Sequence, residues 1–177
     1  MSNNAGGIFW FTGLSGSGKT TLSRAVAEYL RTHGKPCLLI GGDQLRHGLC
    51  SDLGYSKNDR FENVRRAGEM ARLFSQLGFT CLCALISPYQ AMREELRARL
   101  APAYHEIYLE CPIEECIRRD PKKLYKRVAE GQVTAFTGIS DPYEPPIRPE
   151  LRVVTAAKDI ESSVEISTLY IQKVLKL

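Results

Sequence analysis

The segment Gly13-Leu14-Ser15-Gly16-Ser17-Gly18-Lys19-Thr20 has the composition and spacing of a polyphosphate cradle, G-x-x-x-x-G-K-[ST]. Glycines allow the backbone to turn its N–H groups inward, and a following helix N-terminus adds a favourable dipole. At its end Lys19 reaches β- and γ-phosphates, and the Thr20 hydroxyl ligates Mg²⁺. A ligand-free turn has no need of lysine and threonine at these two places. The segment therefore predicts a nucleoside triphosphate site.

A second acidic residue decides what is done with the triphosphate. Ala84-Leu85-Ile86-Ser87-Pro88 closes one predicted strand without a carboxylate, whereas Gly41-Gly42-Asp43 closes another with one. Asp43 beside a triphosphate can accept a proton from a substrate hydroxyl or hold a metal-bound water. Lys57-Asn58-Asp59 does not supply the Asn-Lys-x-Asp pattern that reads guanine, so a small-molecule kinase fits better than a GTPase. Behind Asp43 come Arg46, Arg60, Asn63, Arg65 and Arg66. Asn63 and Arg66 are three apart and are expected on one helix face, with Arg65 directed elsewhere. Guanidinium forks suit phosphate and sulfate oxygens. The acceptor is expected to be anionic.

The elements that position these residues alternate strand and helix. Ile8–Thr12 reads as a first strand, and Leu22, Ala25, Val26, Tyr29 and Leu30 recur at helical spacing over residues 19–33. Gly34-Lys35-Pro36 breaks that helix, and residues 37–40 make a second strand. A helix is predicted over 58–77, a strand over 79–86, a charged amphipathic helix over 89–100, a strand over 105–109 and a short helix over 113–119. A fifth strand is expected at 152–155 and a last helix at 161–175. This order predicts a three-layer α/β domain of the P-loop NTPase type, a parallel five-stranded sheet with helices on both faces. From Asp120 to Pro149 the pattern fails; with five prolines and many charges, this stretch is expected to be a mobile lid.

Composition bounds the rest. At 177 residues, with 44% hydrophobic and 25% charged side chains, the chain is sized and composed as one globular domain. No apolar run is long enough for a bilayer, and the first seven residues lack the regions of a secretory signal. The net charge of +4 suits small anions and gives little support for nucleic acid. Six cysteines without a Cys-x-x-Cys pair, and scattered His33, His47 and His105, argue against zinc. The expectation is a cytoplasmic protein with reduced thiols, no nucleic-acid partner and no membrane.

Beyond the phosphate loop, the chain closely resembles the adenylylsulfate kinase (adenosine-5′-phosphosulfate kinase) family from about Ile8 to Pro146. The resemblance rests on Gly42-Asp43-Gln44-Leu45-Arg46-His47-Gly48-Leu49, Leu53-Gly54-Tyr55-Ser56-Lys57-Asn58-Asp59-Arg60, Glu62-Asn63-Val64-Arg65-Arg66 and Ile86-Ser87-Pro88-Tyr89. Asp120-Pro121-Lys122, Leu124-Tyr125-Lys126, Phe136-Thr137-Gly138-Ile139 and Asp141-Pro142-Tyr143-Glu144 continue it. It implies phosphorylation of the 3′-hydroxyl of adenylylsulfate by ATP with Mg²⁺, in sulfate assimilation. By position, Gly13 to Thr20 hold the ATP phosphates and Arg119 packs on the ATP base. Arg46, Arg60 and Asn63 bind the acceptor's phosphosulfate and ribose, and Tyr55 and Phe136 sandwich its adenine. Lys122 and Lys126 neutralise charge from the lid. The resemblance also implies a homodimer and a link to sulfate adenylyltransferase.

Ser87 is the position to which the family's phosphoserine intermediate is traditionally assigned. No base lies near it in sequence, so direct transfer with Asp43 as base and Ser87 as a positioning group is the expectation. Three departures stand out: Gly41 where the family commonly has Asp, Tyr55 where phenylalanine is usual, and Lys123 in place of a customary glycine.

Overall fold

The computed structural model describes residues 6–157 and 159–177. Its centre is β1 (Ile8–Thr12), an unbroken apolar run because both of its faces are covered. Ile8 and Trp10 point to one side, and Phe9 and Phe11 to the other. β2 (Cys37–Gly41), β3 (Thr80–Ala84), β4 (Tyr104–Glu110) and β5 (Leu151–Val154) complete a five-stranded parallel sheet in the order β2-β3-β1-β4-β5.

On the Phe9 side α1 (Lys19–Thr32) packs Leu22, Val26 and Leu30, and α7 (Ile160–Leu175) adds Ile171. On the Trp10 side α3 (Lys57–Gln76) packs Val64, Ala67 and Ala71, and α4 (Gln90–Leu100) adds Met92, Leu96 and Leu100. α3 starts where Ser56 and Asp59 form a reciprocal capping box, satisfying two otherwise orphaned backbone donors. No helix among the described residues is long and apolar enough to cross a membrane.

Two short helices escape the sequence pattern. α2 (Gly42–Arg46) opens directly off β2, and α6 (Leu124–Ala129) lies inside the stretch read as irregular; α5 (Ile113–Arg119) precedes it. Helices of five and six residues carry too few apolar positions to show a period. The stretch over 120–149 is more ordered than its composition suggests. Tyr125 and Phe136 pack edge-to-face, 5.0 Å between ring centroids, in a third small core with Cys111, Cys116, Leu14 and Ile113. Asp120 accepts from the Tyr125 and Lys126 amides at 3.1 and 3.0 Å and so caps α6. Lys123, in place of the family's glycine, sits at φ 54°, a left-handed conformation that a side chain tolerates poorly.

Candidate active site

The C-terminal edges of the strands carry the site, the usual place for ligands in an open parallel sheet. β1 runs into Gly13 and α1 begins at Lys19. Gly13 (φ 149°) and Gly16 (φ 80°) are required by geometry as well as by conformation. A Cβ would come within 2.7 Å of the Leu109 carbonyl oxygen at Gly13, and within 2.9 Å of the Cys116 carbonyl at Gly16. The loop thus presses against β4 and α5 with no room for a side chain.

Lys19 is 8% exposed, and its ammonium donates to the carbonyls of Gly13 (2.9 Å) and Leu14 (2.6 Å). Burial pulls its pKa down to about 7, against smaller opposing effects from Cys116 and Asp43. An anion within the loop would restore the charge. Thr20, the next residue, is exposed. The Ser17 carbonyl accepts from Thr155 Oγ1 at 3.1 Å, and the Thr155 carbonyl accepts from Arg119 Nη2 at 2.7 Å. Arg119 is held further by Glu115 at 2.7 Å. Thr155 therefore fastens both the phosphate loop and Arg119 to the end of β5; nothing in its sequence neighbourhood marks it.

Asp43, in the first turn of α2, is largely exposed, and its carboxylate pairs with Lys122 from the far side of the site. Lys126 turns away, 3.8 Å from Glu130. Above Gly41 a Cβ would meet nothing within 4 Å, so the missing family carboxylate has room and the glycine is no steric need.

The predicted acceptor group divides. Arg46 donates to the Gly54 carbonyl at 2.6 Å and lies 4.3 Å over the Tyr55 ring. Arg60, nine-tenths buried, donates to the Tyr55 carbonyl (2.9 Å), Thr137 Oγ1 (2.9 Å), the Ala135 carbonyl (3.0 Å) and Asp141 (3.1 Å). It ties the Tyr55 segment to residues on either side of Phe136. The Tyr55 ring is 60% exposed, while Phe136 is buried against Tyr125. Asn63 is 5% exposed, and its Nδ2 has no hydrogen-bond partner, a buried donor left for a ligand. Arg65 and Arg66 do not belong to this group. Arg65 pairs with Glu62 at 2.6 Å within α3, and Arg66 pairs with Glu62 at 2.8 Å and Asp52 at 2.6 Å, so Arg66 ties α3 to its approach loop. The inward face pairs Asn63 with Arg60, one turn earlier, and not with Arg66.

Ser87 lies at the end of the segment that leaves β3, at φ 47° and 2% exposed. Its Oγ accepts from the indole Nε1 of the fully buried Trp10 at 2.9 Å. Among the described residues no three His, Cys, Asp or Glu side chains gather as a metal cage.

A parallel sheet of this order, a glycine-walled loop leading into α1 and a carboxylate opposite it define a P-loop nucleotide-binding fold of the small-molecule kinase type. Its structural relatives include a gluconokinase from Sinorhizobium meliloti (TM-score 0.62, 16% identity, covering 98% of this chain and 95% of that one), a likeness of fold alone.

The sequence profile of the adenylylsulphate kinase family matches residues 5–154, and the chain belongs to that family. It is 47% identical over 167 residues to the adenylyl-sulfate kinase of Geotalea uraniireducens, covering 94% of this chain and 80% of that one. The Mycobacterium tuberculosis APS kinase, solved with AMPPNP and APS, superposes with a TM-score of 0.89 at 37% identity, over 96% of this chain and 98% of that one.

Proposed function

We propose that the chain transfers the γ-phosphoryl group of ATP to the ribose 3′-hydroxyl of adenylylsulfate in one in-line step, giving ADP and 3′-phosphoadenylylsulfate. The observation that carries the single-step reading is Ser87: its buried Oγ is engaged by Trp10, whereas Asp43 stands exposed at the mouth of the site. A nucleophilic serine needs an adjacent base and access to the phosphorus. Ser87 instead gives Trp10 a hydrogen-bond partner, without which the buried indole N–H would cost about 1–3 kcal/mol.

In the step, the acceptor's 3′-hydroxyl gives its proton to Asp43 as its oxygen bonds to the γ-phosphorus. The bond from that phosphorus to the β-bridging oxygen breaks, and ADP leaves. Lys19 and the loop amides hold the charge that develops on the transferring group, since positioning and electrostatics are most of what a kinase supplies. Lys122 neutralises charge above Asp43. Arg46 and Arg60 hold the acceptor's anionic groups, Asn63 Nδ2 donates to it, and Tyr55 and Phe136 take its adenine. Arg119 packs against the ATP base. The segment 120–141 acts as the lid.

Mg²⁺ needs few protein ligands, because it keeps several waters and binds through one or two side chains plus the phosphates. The exposed Thr20 hydroxyl, with Asp43 opposite, fits that demand without a protein cage. When bound, the ion neutralises charge on the β- and γ-oxygens.

Ser87→Ala tests the reading. The variant is expected to keep at least about a tenth of wild-type kcat and to make the same 3′-phosphorylated product, since it loses one hydrogen bond and not the reacting group. Turnover abolished while both substrates still bind would require Ser87 as the nucleophile.

A further inference from the structure

Arg93 joins two segments far apart in sequence, residues 87 and 144, through one buried side chain. It arises in the first turn of α4, and its side chain is 1% exposed. Nη1 donates to the Ser87 carbonyl at 2.6 Å, and Nη2 donates to the Glu144 carbonyl and to Gln90 Oε1, each at 2.6 Å. Nε lies 2.9 Å from Glu106 Oε1 on β4, off the line of a hydrogen bond but close enough to supply the counter-charge. The guanidinium also lies 5.8 Å from the Tyr143 ring centroid.

Glu106 supplies the counter-charge, and the two backbone carbonyls with Gln90 satisfy N–H donors that a buried guanidinium cannot leave unpaired. Which carbonyls they are gives the contact its consequence. Ser87 is among the few non-glycine residues at positive φ, and Arg93 on its carbonyl with Trp10 on its hydroxyl over-determines that conformation. Glu144 is where the 120–149 stretch rejoins the body of the domain. Its amide donates to the Pro88 carbonyl at 2.8 Å, its carboxylate accepts the first amide of α4, and its carbonyl takes Arg93. The neighbouring Tyr143 hydroxyl meets Thr12 Oγ1 at 3.0 Å, at the end of β1. The remainder of the stretch is held by Lys122 on Asp43, by Thr137, Ala135 and Asp141 on Arg60, by the Tyr125 hydroxyl on the Ser15 carbonyl at 3.0 Å, and by the small core of Tyr125 and Phe136 with Leu14 and Ile113. Its root is thus fixed to the sheet and α4, whereas the rest of it rests on the phosphate loop, α5, Asp43 and Arg60.

We infer that Arg93 is a positioning residue for phosphoryl transfer: it locks the C-terminal root of the lid to the Ser87 backbone, so that the lid closes on a fixed post. The inference rests on the reading of 120–141 as a substrate-covering lid. Arg93 touches no reacting atom; it acts through Glu144 and Ser87.

The test compares the full chain with Arg93→Lys and with the double variant R93M/E106Q. The double variant removes both buried charges and leaves neither uncompensated. In both variants kcat/KM for adenylylsulfate is expected to fall about 10- to 100-fold, the scale of an ångström-level misplacement. ATP binding at the phosphate loop is expected to be unchanged. Amide hydrogen exchange over 120–141, slowed in the wild type by ADP with adenylylsulfate, is expected to stay fast in the variants. Loss of ATP affinity in step with acceptor kinetics, or a folded double variant with wild-type kinetics, would overturn the inference. So would wild-type lid protection in the variants, which contradicts the role of Arg93 alone. No substrate protection in the wild type itself would overturn the lid reading, and this inference with it.

Discussion

Asp43→Asn is expected to lower kcat by about 10²- to 10⁴-fold, the range that general-base catalysis supplies. Asparagine keeps the size and one acceptor oxygen but cannot take the 3′-hydroxyl proton. The position is exposed and outside the apolar cores, so the fold is not at stake. ATP affinity is expected to be nearly wild type, because the loop that holds the phosphates is untouched, and the defect should fall on kcat. Steady-state ADP release with equilibrium binding of each nucleotide measures both quantities. A variant within tenfold of wild-type kcat would place the base elsewhere.

Lys19→Met is expected to cost about 10²- to 10³-fold in kcat, as removal of one preorganised charge-stabilising donor does. Methionine fills the buried channel of the lysine stem without a charge, so the chain should fold. Proton uptake supplies a second readout. Because burial holds the Lys19 pKa at about 7, the group is mostly neutral at pH 8 in the free protein. The phosphates of bound ATP favour the charged form, so binding at pH 8 draws up to about one proton from solution. Uptake vanishes at pH well below 7, where the ammonium already carries its proton. Calorimetry in two buffers of different ionisation enthalpy should detect uptake in the wild type and none in the variant. Equal proton exchange in both proteins would separate Lys19 from the phosphates.

How much of this was legible in the sequence depends on whether a residue's partner lies nearby. β1 is predicted to its ends because four consecutive apolar residues, Ile8 to Phe11, followed by Thr12 and Gly13, allow one reading. α1 and α5 begin where the sequence places them, after a glycine and a proline. α2 and α6 are missed because a helix of one or two turns shows no period. The predicted third strand, 79–86, is longer than the observed Thr80–Ala84. Apolar character persists through Leu85 and Ile86 although the ladder ends before them.

Charge patterns mislead in a related way. Arg65 and Arg66 look like anion ligands until Glu62 and Asp52 claim them, and Asp52 is fourteen residues from Arg66. Arg93 reads as one charge among many on an amphipathic helix, yet its side chain is buried under contacts to β4 and residue 144. Thr155 carries no local signal, because it gains its role from Ser17, 138 positions away, and Tyr143, though part of a family motif, does not reveal its partner Thr12, 131 positions away. The phosphate loop is legible for the opposite reason: its glycines and spacing specify a local backbone turn, and Gly13 and Gly16 adopt it at positive φ. Asp43, Arg60 and Asn63 are singled out by type and spacing, and the roles given to them are those proposed above.

Single-step transfer with Ser87 as a bystander to the chemistry is the account's central claim, and the stereochemistry at phosphorus tests it most directly. The chain would be given ATP made chiral at the γ-phosphorus with three oxygen isotopes, together with adenylylsulfate, and the 3′-phosphate of the product analysed. One in-line displacement inverts the configuration, and inversion is the result expected here. Retention would mean two displacements through a phosphorylated side chain, and would contradict the direct transfer assigned to Asp43.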